Sequence, residues 1–210
     1  MMIIDKTDLN NFEARYRATL INSLGGVKQA VLIGTVSSEG QTNLAIFNSL
    51  IHIGANPPLW GFIARPDIGH RHTLHNILNT GSYTINFPSA DDYVKAHQTS
   101  AKYEPTQSEF DACGFTAVYE PGCAAPFVQE ASVKIAMKLV QKMDIELNGT
   151  SLIIGSLEQI ILDESLISAD GFVALDKANT LACAGLDAYY TTELKERLSY
   201  AKRDKWPGVL

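Results

Sequence analysis

The chain has 210 residues, a formal charge of −6 and 46% hydrophobic residues, a profile of ordinary globular proteins that excludes the disordered, fibrous and strongly basic classes. A chain of this length buries roughly 70% of its unfolded surface and needs neither disulfides nor a metal to fold. Its one basic cluster, Lys202-Arg203-Asp204-Lys205, reads as a solvated end, which argues against a nucleic-acid partner.

The N-terminus MMIIDKTDLN carries no signal-peptide pattern, and no window approaches the roughly eighteen apolar residues of a membrane span. The expectation is a soluble cytoplasmic protein without a membrane partner. Cys113, Cys123 and Cys183 are odd in number and lack CxxC spacing, so idle thiols are expected rather than a zinc knuckle or a disulfide framework.

In chain order, DLNNFEARYRATLINS (residues 8–23) sets Leu9, Phe12, Tyr16 and Leu20 at helical spacing behind Asp8 as N-cap, predicting an amphipathic lead-in helix. The period then changes: AVLIGTV, the turn SSEGQ and TNLAIFNSLIHI read as two strands. LWGFIA (59–64) after Pro57-Pro58 gives a third strand, HTLHNIL (72–78) a short helix, and SYTINF (82–87) a fourth strand. ADDYVKAHQ reads as a helix, followed by a polar loop around KYEPTQSEFDACG. An excursion of this length, residues 90–118, is more often functional than idle. SVKIAMKLVQKMDI and TSLIIGSLEQIIL flank Asn148-Gly149, the strongest short hairpin signal in the chain. In TTELKERLSYAK, Leu194 and Leu198 lie one turn apart and predict a C-terminal helix over 191–202. With no repeat or linker composition, the reading is a single domain over 1–210: mainly β, an antiparallel sheet long enough to close as a barrel, with flanking helices.

Two stretches carry chemistry. GHRHTLHN (69–76) places His70, His72 and His75 close together. HxHxDH metallohydrolases build a metal core from such spacing, but Leu74 stands at the Asp position and the other histidines are His52 and His97. The same residues form an anion site in kind if a helix begins here, because its first turn offers backbone N–H groups beside the Thr73 hydroxyl and the Arg71 guanidinium. In TNLAIFNSL (42–50), alternation turns Asn43, Ala45 and Phe47 to one face and Leu44, Ile46 and Asn48 to the other. Polar Asn43, Asn48 and Ser49 then interrupt an apolar wall and require partners, from a ligand or from internal backbone groups.

GTVSSEGQTNLAIFNSLIHIGANPPLWGF followed by RHTLHNILNTGSYTINFP resembles the flavin reductase-like family of FMN-binding split barrels, through Gly34-Thr35, Gly40, Asn43-Leu44-Ala45, Asn48-Ser49, Pro57-Pro58, Thr73 with Asn76-Ile77, and Tyr83 to Asn86. EFDACGFT, APFVQEASVKIAMKL, NGTSLIIGSLEQI and AGLDAYYT follow in register, so the resemblance covers roughly residues 27–200. It implies a Greek-key split β-barrel that forms a homodimer, with one FMN in each of two interface clefts. Carried over by position, Thr35, Asn43, Asn48 and Ser49 would line the flavin ring and ribityl chain, and Arg71, His72 and Thr73 would hold the phosphate. Many relatives carry an acidic or small polar residue where His72 stands. Tyr189 and Tyr190 are candidates to close over the isoalloxazine. The implied activity is hydride transfer from NAD(P)H to flavin, feeding a monooxygenase or other electron acceptor, with the cofactor rather than a general base carrying the chemistry. The alternatives are a flavin-binding electron carrier or storage protein with no nicotinamide site of its own and, on the three histidines, a metallohydrolase.

Overall fold

A computed structural model describes residues 1–66 and 72–210. Its first correction lies in the lead-in segment, where two short helices replace one: α1, Lys6–Asn11, and α2, Ala14–Leu24. Asp5, not Asp8, caps α1, and Asp8 returns the bond from the third helical position in a reciprocal capping box. The Glu13 carboxylate accepts from Tyr16 N and starts α2 afresh, so two competing caps split a continuous apolar stripe.

The remaining elements are β1 (Lys28–Gln29), β2 (Val31–Val36), β3 (Thr42–Phe47), β4 (Ile51–Ala55), β5 (Pro58–Ala64), α3 (His72–Thr80) and β6 (Ser82–Phe87). A 3-10 turn leads into α4 (Tyr93–Gln98), then come α5 (Glu109–Cys113), β7 (Ala117–Val118), β8 (Phe127–Val128), β9 (Val133–Ile145), β10 (Thr150–Leu162), β11 (Ala182–Ala184) and β12 (Ala188–Tyr190). The predicted Asn148-Gly149 hairpin joins β9 to β10, through a four-residue loop in which the Gly149 and Asn148 N–H groups both donate to Ile145 O.

Seven strands pair antiparallel in the order β3-β2-β6-β9-β10-β5-β4. This order closes the sheet by arithmetic. Six spacings of about 4.8 Å would put β3 and β4 about 29 Å apart in a flat sheet. Only Asn48, Ser49 and Leu50 join them, and a link of that length reaches at most about 14 Å. The sheet therefore rolls up, which is the split barrel expected from the sequence.

Alternation divides the core. Val31, Ile33, Phe62, Tyr83, Ile85, Ile135, Met137 and Ile153 fill the barrel, and α3 adds Leu74 and Ile77 to the same cluster. On the other face of β2 and β3, Leu32 and Leu44 pack with Ala96, Phe110 and Phe115 of the 90–118 excursion. The excursion is thus a packed cover rather than a loose loop. On the same face of β2, Gly34 leaves no room for a side chain: a Cβ there would fall on the Pro126 carbonyl oxygen, just before β8, and lie 2.6 Å from the Thr84 hydroxyl of β6.

The expected helix over 191–202 does not form; the tail is irregular, with isolated bridges between Leu198 and Val209 and between Lys202 and Lys205. Leu194 and Leu198 stay 44% and 54% exposed, so the stripe has no surface to bury against, and a helix this short is marginal alone. Thr191 and Thr192 are poor helix formers. Instead the Arg197 guanidinium lies 4.2 Å over the Phe172 ring and pairs with Asp170, while Ser199 N donates to Gly208 O and Leu210 N to Arg197 O, folding the tail on itself.

Candidate functional site

The turn Ser37–Gln41, held by Ser37 N donating to Gln41 O and Gly40 N to Ser37 O, sets the register of β2 and β3 so that Thr35 lies directly opposite Asn43. Both face the barrel side, as alternation predicts for Asn43, Ala45 and Phe47. α3 packs over this end of the hairpin with Thr73 and Asn76 three residues apart, hence on one helical face.

The two pairs interlock. The Asn43 amide nitrogen donates to Thr35 Oγ1 at 3.3 Å and to Thr73 Oγ1 at 3.0 Å, and Asn76 Nδ2 donates to Thr35 Oγ1 at 3.1 Å. All four side chains are buried, none more than 8% exposed. Both N–H bonds of Asn43 are engaged, and Thr73 uses its oxygen as acceptor. The Thr73 O–H is left to donate, with no acceptor for it among the described residues. It lies in the first turn of α3, where the backbone N–H groups lack intrahelical partners and the helix dipole is positive. Hydroxyl and backbone donors around a positive helix end suit a phosphate or carboxylate.

His72 opens α3 and is half-buried, while His75 is exposed one turn on. Arg71 and His70 lie outside the described residues, so the guanidinium arm of the expected phosphate clamp and the first of the three histidines have no described position.

Asn48 and Ser49 sit elsewhere, past the far end of β3. Asn43 and Asn48 are five residues apart, roughly 17 Å along an extended chain. Asn48 Nδ2 donates to Gly185 O at 2.5 Å and reaches Cys183 Sγ at 4.0 Å, tying the β11–β12 turn to the barrel corner. Burial pushes the Cys183 thiol up from its ordinary pKa. Ser49 Oγ donates to Ile63 O and accepts from Ile63 N, satisfying β5 where β4 has not yet begun. Of the two sources of partners open to these polar residues, internal backbone groups serve Asn48 and Ser49.

Tyr189, paired with Cys183 across β11 and β12, shares a 2.8 Å hydrogen bond with His97 Nδ1. Burial pushes its phenol up to about 12. Tyr190 is 45% exposed.

Sequence reasoning passed over two features. Asn76 stood in the family pattern without a role. Glu109 of α5 is buried, and its carboxylate accepts from Leu44 N at 2.9 Å, while Ser108 Oγ meets Thr42 Oγ1 at 2.7 Å. The excursion therefore grips β3 on both sides of Asn43. A signal for α5 existed in its caps, Ser108 before and left-handed Gly114 after, but five residues show no period.

An antiparallel sheet rolled into a barrel, with one helix packed on its mouth and a buried hydroxyl–amide cluster at the start of that helix, defines a split-barrel protein. The profile of the flavin reductase like domain matches residues 24–176, and the chain belongs to the flavin reductase-like family. A candidate flavin reductase with a split barrel domain from Shewanella frigidimarina superposes with TM-score 0.92 at 46% identity, covering 96% of this chain and 100% of the other. Nitrilotriacetate monooxygenase component B from Bacillus cereus gives TM-score 0.83 at 19% identity, over 94% and 98% of the two chains. Flavoredoxin of Desulfovibrio vulgaris gives 0.69 at 21%, over 85% and 91%. These last two share the fold. An uncharacterized Aquifex aeolicus protein is 28% identical over 140 residues, 64% of this chain and 71% of its own.

Proposed function

We propose that the protein is a cytoplasmic flavin-dependent oxidoreductase that binds FMN and transfers hydride to it from NAD(P)H, passing the electrons to a separate monooxygenase or another acceptor. Family membership supplies the class, and the donor cluster at the entrance of α3 is the observation that carries the FMN reading. Thr73, with Arg71 and His72 beside it, would hold the phosphate through charge-assisted hydrogen bonds. Thr35 and Asn43, 0% and 6% exposed and bonded into the cluster, would hold Thr73 in turn rather than line the flavin ring and ribityl chain. The corner at Asn48 and Ser49, roughly 17 Å along β3 from Asn43, would face the ring end of a long ligand and present the backbone it braces. FMN, when bound, supplies the redox chemistry; the chain contributes binding, orientation and shelter from water. The Bacillus cereus fold neighbour is a monooxygenase component, which is the motive for naming such a partner. Among the described residues no helix is long and apolar enough to cross a membrane.

In this reading the assembly is a homodimer. The register aligns Met143, Leu152 and Ile63 in one row and Ile154, Gly61 and Ile51 in the next, on the outer face of the sheet. Met143, Ile51 and Ile53 remain 47%, 39% and 42% exposed. An apolar patch of this kind, continuous with the Ser49 corner, suits a second copy.

The test is gel filtration of the purified protein with flavin absorbance monitored, followed by NADH and NADPH oxidation with and without FMN. Flavin co-eluting at the dimer mass and flavin-dependent oxidation are expected. Failure to bind added FMN in titration refutes the proposal, and reduction of bound flavin by a protein donor but by neither nicotinamide replaces the reductase with an electron carrier.

A further inference from the structure

The geometry points to Asn76 as a positioning residue for the phosphate of FMN, an inference that rests on the flavin reading above. The hydrogen bonds run in a closed circuit that starts and ends on α3. Asn76 Nδ2 donates to Thr35 Oγ1, Asn43 Nδ2 donates to the same oxygen and to Thr73 Oγ1, and Thr73 is back on the helix three residues before Asn76.

Each link removes one freedom. A threonine hydroxyl accepts through two lone pairs, and Thr35, with no exposed surface, receives two amide donors. Its oxygen is therefore saturated, which fixes one N–H of Asn43, on β3, against Thr35 of β2 and leaves the other to reach Thr73. With the Thr73 oxygen held as an acceptor, its proton can point only away from Asn43, toward the helix entrance. Asn76 thus sets the direction of a donor it does not touch. A donor aligned before the ligand arrives loses no rotational freedom on binding, and a hydrogen bond to a charged group contributes about 1.5–3 kcal/mol. Asn76 has a structural effect as well, because the circuit pins α3 to the β2–β3 hairpin.

The two effects separate by comparing two flavins that differ only in the phosphate. Apo-protein is titrated with FMN and with riboflavin, following flavin fluorescence, in the parent, in Asn76→Ala and in Thr35→Val. The valine variant keeps the shape of threonine while removing the shared oxygen, so it serves where the alanine variant folds poorly. The parent is expected to favour FMN over riboflavin. In the variants, which loosen the alignment of that bond without removing it, FMN affinity should fall several-fold, by at most about tenfold, the factor of one whole charge-assisted bond, while riboflavin affinity stays at the parent value. A merely structural role would weaken both flavins alike. Equal losses for the two flavins, or unchanged FMN affinity in the variants, overturn the positioning role and leave the flavin reading standing. A parent that binds FMN no better than riboflavin overturns it at its premise. A parent that binds neither flavin overturns both readings together.

Discussion

The bond between Asn43 and Thr73 can be weighed in the protein without any ligand, by a double-mutant cycle of Asn43→Leu and Thr73→Val. Asn43 is 6% exposed and Thr73 is 8% exposed, joined at 3.0 Å, so water cannot easily replace a lost partner. Asn43→Leu strands the Thr73 oxygen and takes one of two donors from Thr35. Thr73→Val strands one N–H of Asn43. Each single change should cost about 1–3 kcal/mol, the penalty for a buried polar group left unpaired. In a chain of 210 residues this lowers Tm by roughly 2–4 °C per kcal/mol. The double variant removes both partners, and its loss should fall short of the summed losses by about 1–2 kcal/mol. Thermal and urea unfolding of apo-protein, followed by circular dichroism at fixed protein concentration, reads all four corners. Additivity to within about 0.5 kcal/mol would show that the bond holds nothing, and the locked circuit at the site would fall with it.

Three further perturbations test the fold around the site. Gly34→Ala should destabilise by about 3 kcal/mol, because the new methyl falls on the Pro126 carbonyl and the Thr84 hydroxyl, themselves bonded at 2.6 Å; a Tm within about 2 °C of the parent would mean that β2 yields freely. Tyr83→Phe should leave Tm unchanged or raise it by the equivalent of about 1 kcal/mol, since the buried Tyr83 hydroxyl, wedged against Gly155, has no partner among the described residues, and a drop of that size would reveal one. Burial raises the Glu109 carboxyl above its ordinary 4.5, against the pull of Leu44 N–H. Its contribution to stability is therefore full below that value and is lost as pH rises through the raised one. The stability of the parent minus that of Glu109→Gln, from urea titrations across this range, should decline with rising pH; an increase refutes the assignment.

Sequence legibility followed the range of the interaction. Alternation in TNLAIF placed Asn43, Ala45 and Phe47 together because a strand's period is fixed by its backbone, and the β2–β3 pairing followed from a short turn. The partner of Asn43 is Thr73, thirty residues away, and nothing local specifies that meeting. Helical spacing was a weaker guide, since periodicity is necessary for a packed helix and not sufficient. Leu194 and Leu198 have the spacing without a surface to meet. Leu9, Phe12, Tyr16 and Leu20 also have it, yet the carboxylates of Asp5 and Glu13 divide the stripe between two helices. At Asn48 and Ser49 the polar interruption was legible, while the choice between a ligand and backbone partners depended on where residues 63 and 185 arrive.

The site is in this sense a coincidence of two phases, each simple by itself. Eight residues separate Thr35 from Asn43 around the Ser37–Gln41 turn, so that they face each other on the barrel side. Three residues separate Thr73 from Asn76, so that they face the sheet together. A slip of one residue in the hairpin would turn Asn43 into the apolar cluster of Leu44, Phe110 and Val128 and replace it on the barrel side by leucine. Burying an unpaired amide there and losing the circuit would both be unfavourable, so the polar cluster that serves the site also selects the register. The grip of Glu109 on Leu44 N adds to this selection from the other face, because only in this register does the carboxylate meet an edge-strand N–H. Binding chemistry and strand pairing are thereby fixed by the same few hydrogen bonds, which is why polar residues persist in a wall that packing alone would make apolar.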